Sequence, residues 1–247
     1  PQILPGSADE FRLLTDAVGE KGYRQIDINL GCPFPMIAGK HKGAGMLLYP
    51  AQVAEVLAPI AEYPEIQFSL KMRLGWENAS ECMVLVELLN TLRLSRIALH
   101  ARTGKQQYKG HPDLEAFQGF YELCQHPLYY NGGIESLSDI RQILIRFPLL
   151  KGVFIGRGLL SSPLLAKEFK GNETFLPEQR MSIYFAFHEE LFSAYSQVLQ
   201  GETQLLVKMK TLWEYFLPET DRKLLKRIKK STRLQQYTES VKAIFTS

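Results

Sequence analysis

Residues 67–102, QFSLKMRLGWENASECMVLVELLNTLRLSRIALHAR, decide the fold of this protein. The stretch begins and ends with short apolar runs, at 67–73 and 96–100, which are typical of strands buried on both faces. Between these runs, residues 79–93 have the apolar spacing of an amphipathic helix. A helix between two buried strands is the repeating unit of a parallel α/β fold, because parallel strands need a long crossover connection.

The same alternation extends in both directions along the chain. The apolar pattern predicts strands at 2–4, 25–29, 67–73, 96–100, 128–131 and 152–155, and helices at 8–21, 51–62, 79–93, 113–124 and 136–146. Ser7, Asn78 and Ser136 are the candidate N-caps of three of these helices. A unit length of about 25–40 residues is that of repeated βα units.

Polar and glycine-rich residues follow five of the predicted strands. They are Asn29-Leu-Gly-Cys32, Lys71-Met-Arg73, His100-Ala-Arg102, Asn131-Gly-Gly133 and Gly156-Arg-Gly158. In a (β/α) barrel the loops after the strands form one face and carry the active site, whereas a doubly wound sheet has its ligand at one switch point. Turns explain the glycines and asparagines but not the Cys, Lys, His and Arg. The pattern therefore favours an α/β fold of the (β/α)8 TIM-barrel type.

Six strands cannot close an eight-stranded barrel, so we expect the first two βα units, about 60–75 residues, to precede Pro1. The pattern becomes helical after Leu165. We therefore predict a partial TIM-barrel domain at 1–172 and a small all-α helical bundle at 177–247. The apolar faces of the bundle are predicted to be formed by Tyr184, Phe187, Leu191, Phe192 and Tyr195, and by Leu205, Met209, Leu212, Trp213 and Phe216.

The net charge is only +3, but its distribution is uneven. Residues 1–176 contain 18 basic and 18 acidic residues, whereas residues 177–247 contain 11 and 8. Most of this excess is one run without an acidic residue, made of Arg222, Lys223, Lys226, Arg227, Lys229, Lys230 and Arg233. Such a run can be a solvated helix face, but solvated helices usually interleave both signs. The run therefore predicts a surface that binds phosphates.

The remaining composition is that of an ordinary globular protein, with 45% hydrophobic and 22% charged residues. No segment approaches the roughly 18 unbroken apolar residues of a membrane helix, and no secretory signal is present. The three cysteines, Cys32, Cys82 and Cys124, lack the spacing of a disulfide framework or a metal site. We expect a cytoplasmic monomer with reduced thiols, no metal and no membrane partner.

Two loops predict a phosphate site. Asn131-Gly-Gly-Ile134 and Ile155-Gly-Arg-Gly158 offer backbone N–H groups and one guanidinium to an anion, as the last two loops of a barrel often do. Lys71 ends its strand and could form a Schiff base, bind a phosphate or stabilise an anionic cofactor ring, or it could extend to solvent. His100 could be a ligand-binding residue or a satisfied core histidine.

Cys32 is the candidate chemical group. Gly31 and Pro33 disfavour a helix around it, so the thiol is expected on a loop. A thiol is mostly protonated at neutral pH and can therefore donate a proton. The glycine-rich loop at 39–45 is expected to be a lid or an arm that grips a strand of the substrate. Cys82 and Cys124 have apolar neighbours and are expected to be inert packing residues.

Five motifs in order resemble those of the tRNA-dihydrouridine synthases, and the resemblance extends over essentially the whole chain. The motifs are Asn29-Leu-Gly-Cys-Pro33 with Lys42-Gly-Ala-Gly45, Lys71-Met-Arg-Leu-Gly-Trp76, His100-Ala-Arg-Thr103, Asn131-Gly-Gly-Ile134 and Ile155-Gly-Arg-Gly158. The family often has an acidic residue at the position of Gly133, so a side-chain contact is expected to be missing there.

The resemblance implies an FMN-dependent enzyme that reduces uridines of tRNA to 5,6-dihydrouridine, with NADPH as the reductant. Cys32 is then the general acid that protonates C5. The implied cofactor-binding residues are Gln2, Lys71, His100, Asn131, Gly132, Gly133, Gly156 and Arg157. The implied RNA-binding residues are Asn29 and Arg102 near the uridine, and Lys226, Arg227 and Lys230 in the tail.

Three alternatives remain open at this point. The chain could be another FMN-dependent barrel oxidoreductase, of the dihydroorotate dehydrogenase type, or a flavin-free phosphate-binding barrel. A small substrate would not need the basic tail, which counts against both. It could also be a non-catalytic RNA-binding relative, although the joint presence of Cys32 and Lys71 counts against that.

Overall fold

The computed structural model describes residues 1–246, which form two compact units. One unit contains Pro1–Ile134 and Ser138–Phe154, and the other contains Glu135–Leu137 and the chain from Ile155 onward. The first unit contains the sheet, and the second contains the helices of the C-terminal part.

The first unit is built on a six-stranded sheet in which neighbouring strands follow the order of the chain. All adjacent pairs are parallel. The strands are β1 (Gln2–Ile3), β2 (Gln25–Leu30), β3 (Gln67–Gly75), β4 (Leu94–Thr103), β5 (Leu128–Asn131) and β6 (Gly152–Phe154). A parallel sheet in sequential order with helical crossovers is the wall of a (β/α) barrel, so the predicted fold class is confirmed.

Six α-helices connect these strands. They are α1 (Ala8–Gly19), α2 (Pro35–Ala38), α3 (Pro50–Leu57), α4 (Glu81–Thr91), α5 (Leu114–Leu123) and α6 (Leu137–Arg146). The helix predicted at 51–62 ends its α-helical part at Leu57 and continues as the 3₁₀ helix Ala58–Glu62, because Pro59 has no N–H for an α-helical bond. A second 3₁₀ helix covers Gly43–Leu48.

One predicted N-cap is confirmed and one is wrong. The Ser7 hydroxyl accepts a hydrogen bond from the Glu10 N–H, as a capping serine does. Asn78 does not cap α4, which begins at Glu81. Instead, the Glu81 carboxylate accepts hydrogen bonds from the N–H groups of Trp76 and Asn78, at 2.6 and 2.8 Å. These bonds stabilise the loop between β3 and α4.

The core of the first unit lies on both faces of its central strands. In β3 the side chains of Phe68, Leu70, Met72 and Leu74 are all fully buried, and they alternate with other buried residues. Each such side chain contributes about 1.5–3 kcal/mol to the free energy of unfolding. The apolar residues at alternate positions of the predicted strand 67–73 thus lie in the core.

The second unit is helical. It contains α7 (Arg157–Ser161), α8 (Leu165–Gly171), α9 (Pro177–Val198), α10 (Glu202–Leu212), α11 (Arg222–Lys230) and α12 (Leu234–Phe245). Its core is centred on Met209, Trp213, Phe216, Ile228 and Tyr237, and both predicted apolar stripes pack into it. The predicted domain boundary at 172–177 falls between α8 and α9 and stays a prediction. Within residues 1–246, no helix has the length and apolar character needed to cross a membrane.

Candidate active site

The predicted site residues of the first unit lie at the carboxyl ends of neighbouring strands. Asn29 in β2 is in register with Lys71 in β3. Two residues further along β3, Arg73 is in register with His100 in β4. His100 is in turn in register with Asn131 in β5. The parallel register therefore brings residues from four strands to one edge of the sheet, which is where barrel enzymes have their active sites.

Asn29 holds the loop that carries Cys32. The Asn29 side-chain oxygen accepts hydrogen bonds from the N–H groups of Gly31 and Cys32, at 2.9 and 3.0 Å. Its amide nitrogen donates to the side-chain oxygen of Gln2 at 2.8 Å. Cys32 itself is a free, half-buried thiol on the loop after β2, as predicted. Asn29 thus orients the thiol, and its predicted contact with uridine stays a prediction.

Asp27 is a further polar residue of this edge that sequence reasoning missed. One carboxylate oxygen of Asp27 accepts from the Gln2 amide at 2.6 Å, and the other accepts from the Ser69 hydroxyl at 2.7 Å. Asp27 therefore fixes Gln2, the predicted flavin-contacting residue, across β1, β2 and β3. An acidic residue in an otherwise apolar strand was the available signal, because such residues are seldom buried unless they are paired.

The second half of the glycine-rich loop at 39–45 is packed against the loop that carries Cys32, and its predicted role as a lid or arm stays a prediction. Gly43 has a φ of +56°, and a Cβ there would lie 2.9 Å from the Cβ of Cys32. Gly43 and the next four residues of the 3₁₀ helix, as far as Leu47, are buried. Lys42 makes a 2.6 Å ion pair with Glu10, and this hydrogen bond lowers the pKa of the Glu10 carboxyl. Glycine at position 43 permits this close packing against the thiol loop.

Lys71 is a half-buried ammonium group on β3. Among residues 1–246, its side chain makes no hydrogen bond or ion pair. Burial lowers the pKa of Lys71, and the positive charge of Arg73 lowers it further, while Asp27 and Cys32 act in the opposite direction. A ligand anion beside Lys71 would therefore stabilise its charged form.

Arg73 is almost fully buried, at 2% exposed, and binds backbone carbonyls instead of a carboxylate. It donates to the carbonyls of Gly31 at 3.0 Å, Thr103 at 2.9 Å and Gln107 at 2.8 Å. Its guanidinium carbon lies 5.5 Å from the centre of the Tyr108 ring. Arg73 therefore ties the thiol loop to the loop after β4, a role that sequence reasoning did not assign.

His100 and Arg102 are both buried and contact each other. Arg102 Nη1 lies 3.3 Å from His100 Nε2, and Arg102 Nη2 donates to the carbonyl of Gly110 at 2.9 Å. Because a guanidinium can only donate, His100 Nε2 is the acceptor of this bond. In this arrangement His100 is neutral and carries its proton on Nδ1.

The loop after β5 is held by backbone geometry. The Asn131 amide donates to the carbonyl of Phe154 at 2.8 Å, which joins the ends of β5 and β6. Gly133 has a φ of +62°, and a Cβ there would lie 2.9 Å from the ring of Pro112, so a larger residue is excluded.

The other half of the predicted phosphate site lies in the second unit. Gly156 is the N-cap residue of α7, and Arg157 is the first residue of that helix. Gly132 and Gly133 belong to the first unit. The joint binding of one phosphate by these residues therefore stays a prediction.

The basic run forms α11 and the turn that follows it. Asp221 caps α11 by accepting from the N–H groups of Lys223 and Leu224, and Ile228 is buried in the helical core. The opposite face of the helix consists of exposed cations, and among residues 1–246 none of them makes an ion pair. These exposed cations are Arg222, Lys223, Lys226, Arg227, Lys229, Lys230 and Arg233.

No group of three or more His, Cys, Asp or Glu residues within the described part of the chain is arranged to hold a metal ion.

The first unit thus has an α/β barrel-type fold. Cys32, Lys71 and the buried Arg73 and Arg102 lie at the carboxyl edge of its sheet. The dihydrouridine synthase (Dus) family model matches residues 2–246, and the chain belongs to this family.

Individual relatives agree with this assignment. tRNA-dihydrouridine synthase B of Vibrio vulnificus is 28% identical over 182 residues, which cover 72% of this chain and 54% of that protein. A probable tRNA-dihydrouridine synthase of Rhizobium leguminosarum is 32% identical over 167 residues, covering 66% of this chain and 52% of that protein. The chain therefore spans about half the length of the curated relatives it matches.

Among solved structures, a morphinone reductase has a similar fold, with a TM-score of 0.50 at 14% identity. The match covers 70% of this chain and 51% of that protein. At this identity the likeness concerns the fold alone.

Proposed function

We propose that this protein acts in an FMN-dependent reductase that converts uridines of tRNA to 5,6-dihydrouridine, with NADPH as the reductant. The observation that carries the proposal is the placement of Cys32. The backbone N–H of Cys32 is held by the Asn29 side chain at the same sheet edge as Lys71, an ammonium group with no partner among residues 1–246. Membership of the dihydrouridine synthase family supports the proposed reaction.

The residues of the first unit fit a flavin. Lys71 and Arg73 are positively charged, and both have lowered pKa values because they are buried. An anionic ring or phosphate near them would relieve this cost of burying positive charge. Gln2 and His100 lie on the same edge and would contact the ring system. When bound, FMN would supply the hydride for C6 of the uridine, and NADPH would restore the reduced flavin.

Cys32 would provide the other half of the reduction. The C5=C6 double bond of uridine gains a hydride at C6 and a proton at C5, so one proton donor is needed. The Cys32 thiol donates this proton and becomes a thiolate. Solvent would then return a proton to Cys32 before the next turnover.

The cationic face of α11 would bind the RNA backbone. Phosphate contacts fix the position of a nucleic acid without reading its sequence, and exposed cations without acidic partners suit that task. Lys226, Arg227 and Lys230 are the central members of this face. Near the catalytic edge, Arg102 and Asn29 would face the uridine.

Dihydrouridine mapping tests the proposal. We expect tRNA from cells lacking the gene to have lost dihydrouridine at one or more positions, and the complete wild-type gene to restore it. A complete dihydrouridine pattern in the deletion strain would contradict the proposed reaction. Purified full-length protein that shows no flavin absorption would contradict the proposed cofactor.

A further inference from the structure

Exposed apolar side chains follow Cys32 directly. Phe34 is 56% exposed and Met36 is 69% exposed. Pro33 and Pro35 flank Phe34 and restrict its backbone, and Pro35 begins α2. The two prolines therefore keep the Phe34 side chain exposed on a conformationally restricted segment. Neighbouring exposed apolar side chains, such as those of Phe34 and Met36, often mark an interaction site.

A second aromatic feature lies on the loop after α2. The rings of His41 and Tyr49 are stacked, with centroids 4.3 Å apart and planes at 22°. Both residues are exposed, and His41 has a left-handed backbone with a φ of +53°. Lys40 beside them is exposed and makes no ion pair among residues 1–246. Stacked rings next to an unpaired cation match the chemistry of a single-stranded nucleic acid.

Both features border the thiol. Phe34 is two residues beyond Cys32 in the chain. His41 is two residues before Gly43, which packs against Cys32, and the Ala44 N–H donates to the Cys32 carbonyl at 3.0 Å. Phe34 and His41 are therefore each two residues along the chain from the thiol residue or from a glycine that packs against it.

We propose that Phe34 and the His41–Tyr49 pair stack on the nucleobases next to the target uridine, while Lys40 contacts the phosphate backbone. The inference rests on the proposed function. A uridine that reacts at C5 and C6 must leave its base stack, so its neighbours lose stacking partners. Exposed aromatic side chains replace that stacking, and any base can occupy such a surface because every base has a π-face.

The test uses the full-length holoenzyme and a stem–loop RNA with one loop uridine flanked by 2-aminopurine, whose fluorescence reports stacking. We expect wild-type protein to change this fluorescence, and Phe34→Ala to bind the RNA about tenfold more weakly with most of the change lost. Phe34→Tyr retains an aromatic ring and should resemble wild type. Ile145→Ala, which removes an apolar side chain that is 79% exposed on α6, is the matched control and should have no effect.

The outcomes separate this inference from the proposed function. If wild-type protein binds and reduces the RNA and Phe34→Ala does the same with unchanged affinity and fluorescence, the inference is overturned and the proposed function stands. If wild-type protein neither binds nor reduces RNA, both are overturned. Loss in Phe34→Ala with rescue in Phe34→Tyr, while NADPH reduces the flavin at the wild-type rate, supports the inference.

Discussion

Asn29 and Arg73 hold the backbone around Cys32 from two sides. Asn29 binds N–H groups of the thiol loop, and Arg73 binds the carbonyl of Gly31 in the same loop. Since these bonds involve main-chain groups, they fix the position of the thiol without occupying it. A proton donor that is fixed in this way can reach its transition state with little further ordering.

Lys71 gives the first prediction. We expect Lys71→Met to weaken FMN binding by about tenfold or more. The substitution removes the positive charge of the Lys71 ammonium group, which would bind an anionic group of the cofactor. The dissociation constant is measured from the quenching of free FMN fluorescence by the full-length apoprotein. Lys21→Met is the matched control, since Lys21 is exposed in the loop after α1. Equal FMN affinity in the two variants would contradict the assignment of Lys71 to the cofactor site.

Sequence reasoning identified the groups that do chemistry better than the groups that hold them. Cys32 and Lys71 are conspicuous because their residue types are reactive and they end predicted strands. The roles of Asp27 and Arg73 depend on contacts between strands and loops that are 25 to 42 residues apart, so local patterns contain little trace of them. For the loop at 39–45 the sequence could not distinguish between flexibility and close packing, because glycine permits both.

Helix α11 combines a buried apolar face with a cationic face. We predict that reversing Lys226, Arg227 and Lys230 to Glu weakens tRNA binding and flattens its dependence on salt. Each lost phosphate contact should remove about 0.7–0.9 from the slope of log affinity against log salt concentration. Flavin reduction by NADPH should not change. The measurement is a filter-binding titration of full-length protein over a range of salt concentrations.

A charge-matched variant is the control for α11. Reversing Lys21, Arg141 and Lys151 to Glu changes the net charge equally at exposed positions of the first unit. If both triple variants lose affinity to the same extent, overall charge rather than α11 controls RNA binding. If neither loses affinity, the run from Arg222 to Arg233 is a solvated surface.

A buried histidine links α9 to α12. His188 is 1% exposed, and its Nε2 lies 2.6 Å from the Tyr237 hydroxyl, which accepts a hydrogen bond from Trp213. Tyr237 therefore donates to His188, and His188 Nδ1 donates to Glu189 at 3.1 Å. Burial lowers the pKa of His188, although Glu189 opposes this. The network is complete only when His188 is neutral.

This network predicts that acid destabilises the helical unit. The unfolded chain takes up the His188 proton at a higher pH than the folded chain, so the stabilisation is present above about pH 6.5 and is lost as the pH falls further. Between pH 7.5 and 5.5, His188 should remove up to about 1.4 kcal/mol from the free energy of unfolding. Urea unfolding followed by Trp213 fluorescence in a Trp76→Phe background measures it.

The control for this effect is His188→Gln in the same background. This variant should be less stable at pH 7.5, and its unfolding free energy should vary less between the two pH values. An equally steep decrease in His188→Gln would assign the acid sensitivity to other groups.

The whole fold was more predictable than its contacts. All six strands were predicted within three residues of their observed ends, because short segments rich in regularly spaced apolar residues, bounded by helices, have few other interpretations. The apolar stripes of α9 and α10 likewise predicted the helical core. The start of α4 at Glu81 was missed, since Asn78 is a good cap by residue type, whereas in the structure its N–H donates to the Glu81 carboxylate.

The central claim is that Cys32 supplies the proton in the reduction of uridine. Its most direct test compares Cys32→Ala with wild type in full-length holoenzyme, using tRNA from the deletion strain. NADPH-dependent flavin reduction and dihydrouridine formation are measured separately. We predict that flavin reduction stays near the wild-type rate while dihydrouridine formation falls by about 10²–10⁴-fold, because a general acid acts only in the second step. Dihydrouridine formation at the wild-type rate in Cys32→Ala would contradict the account.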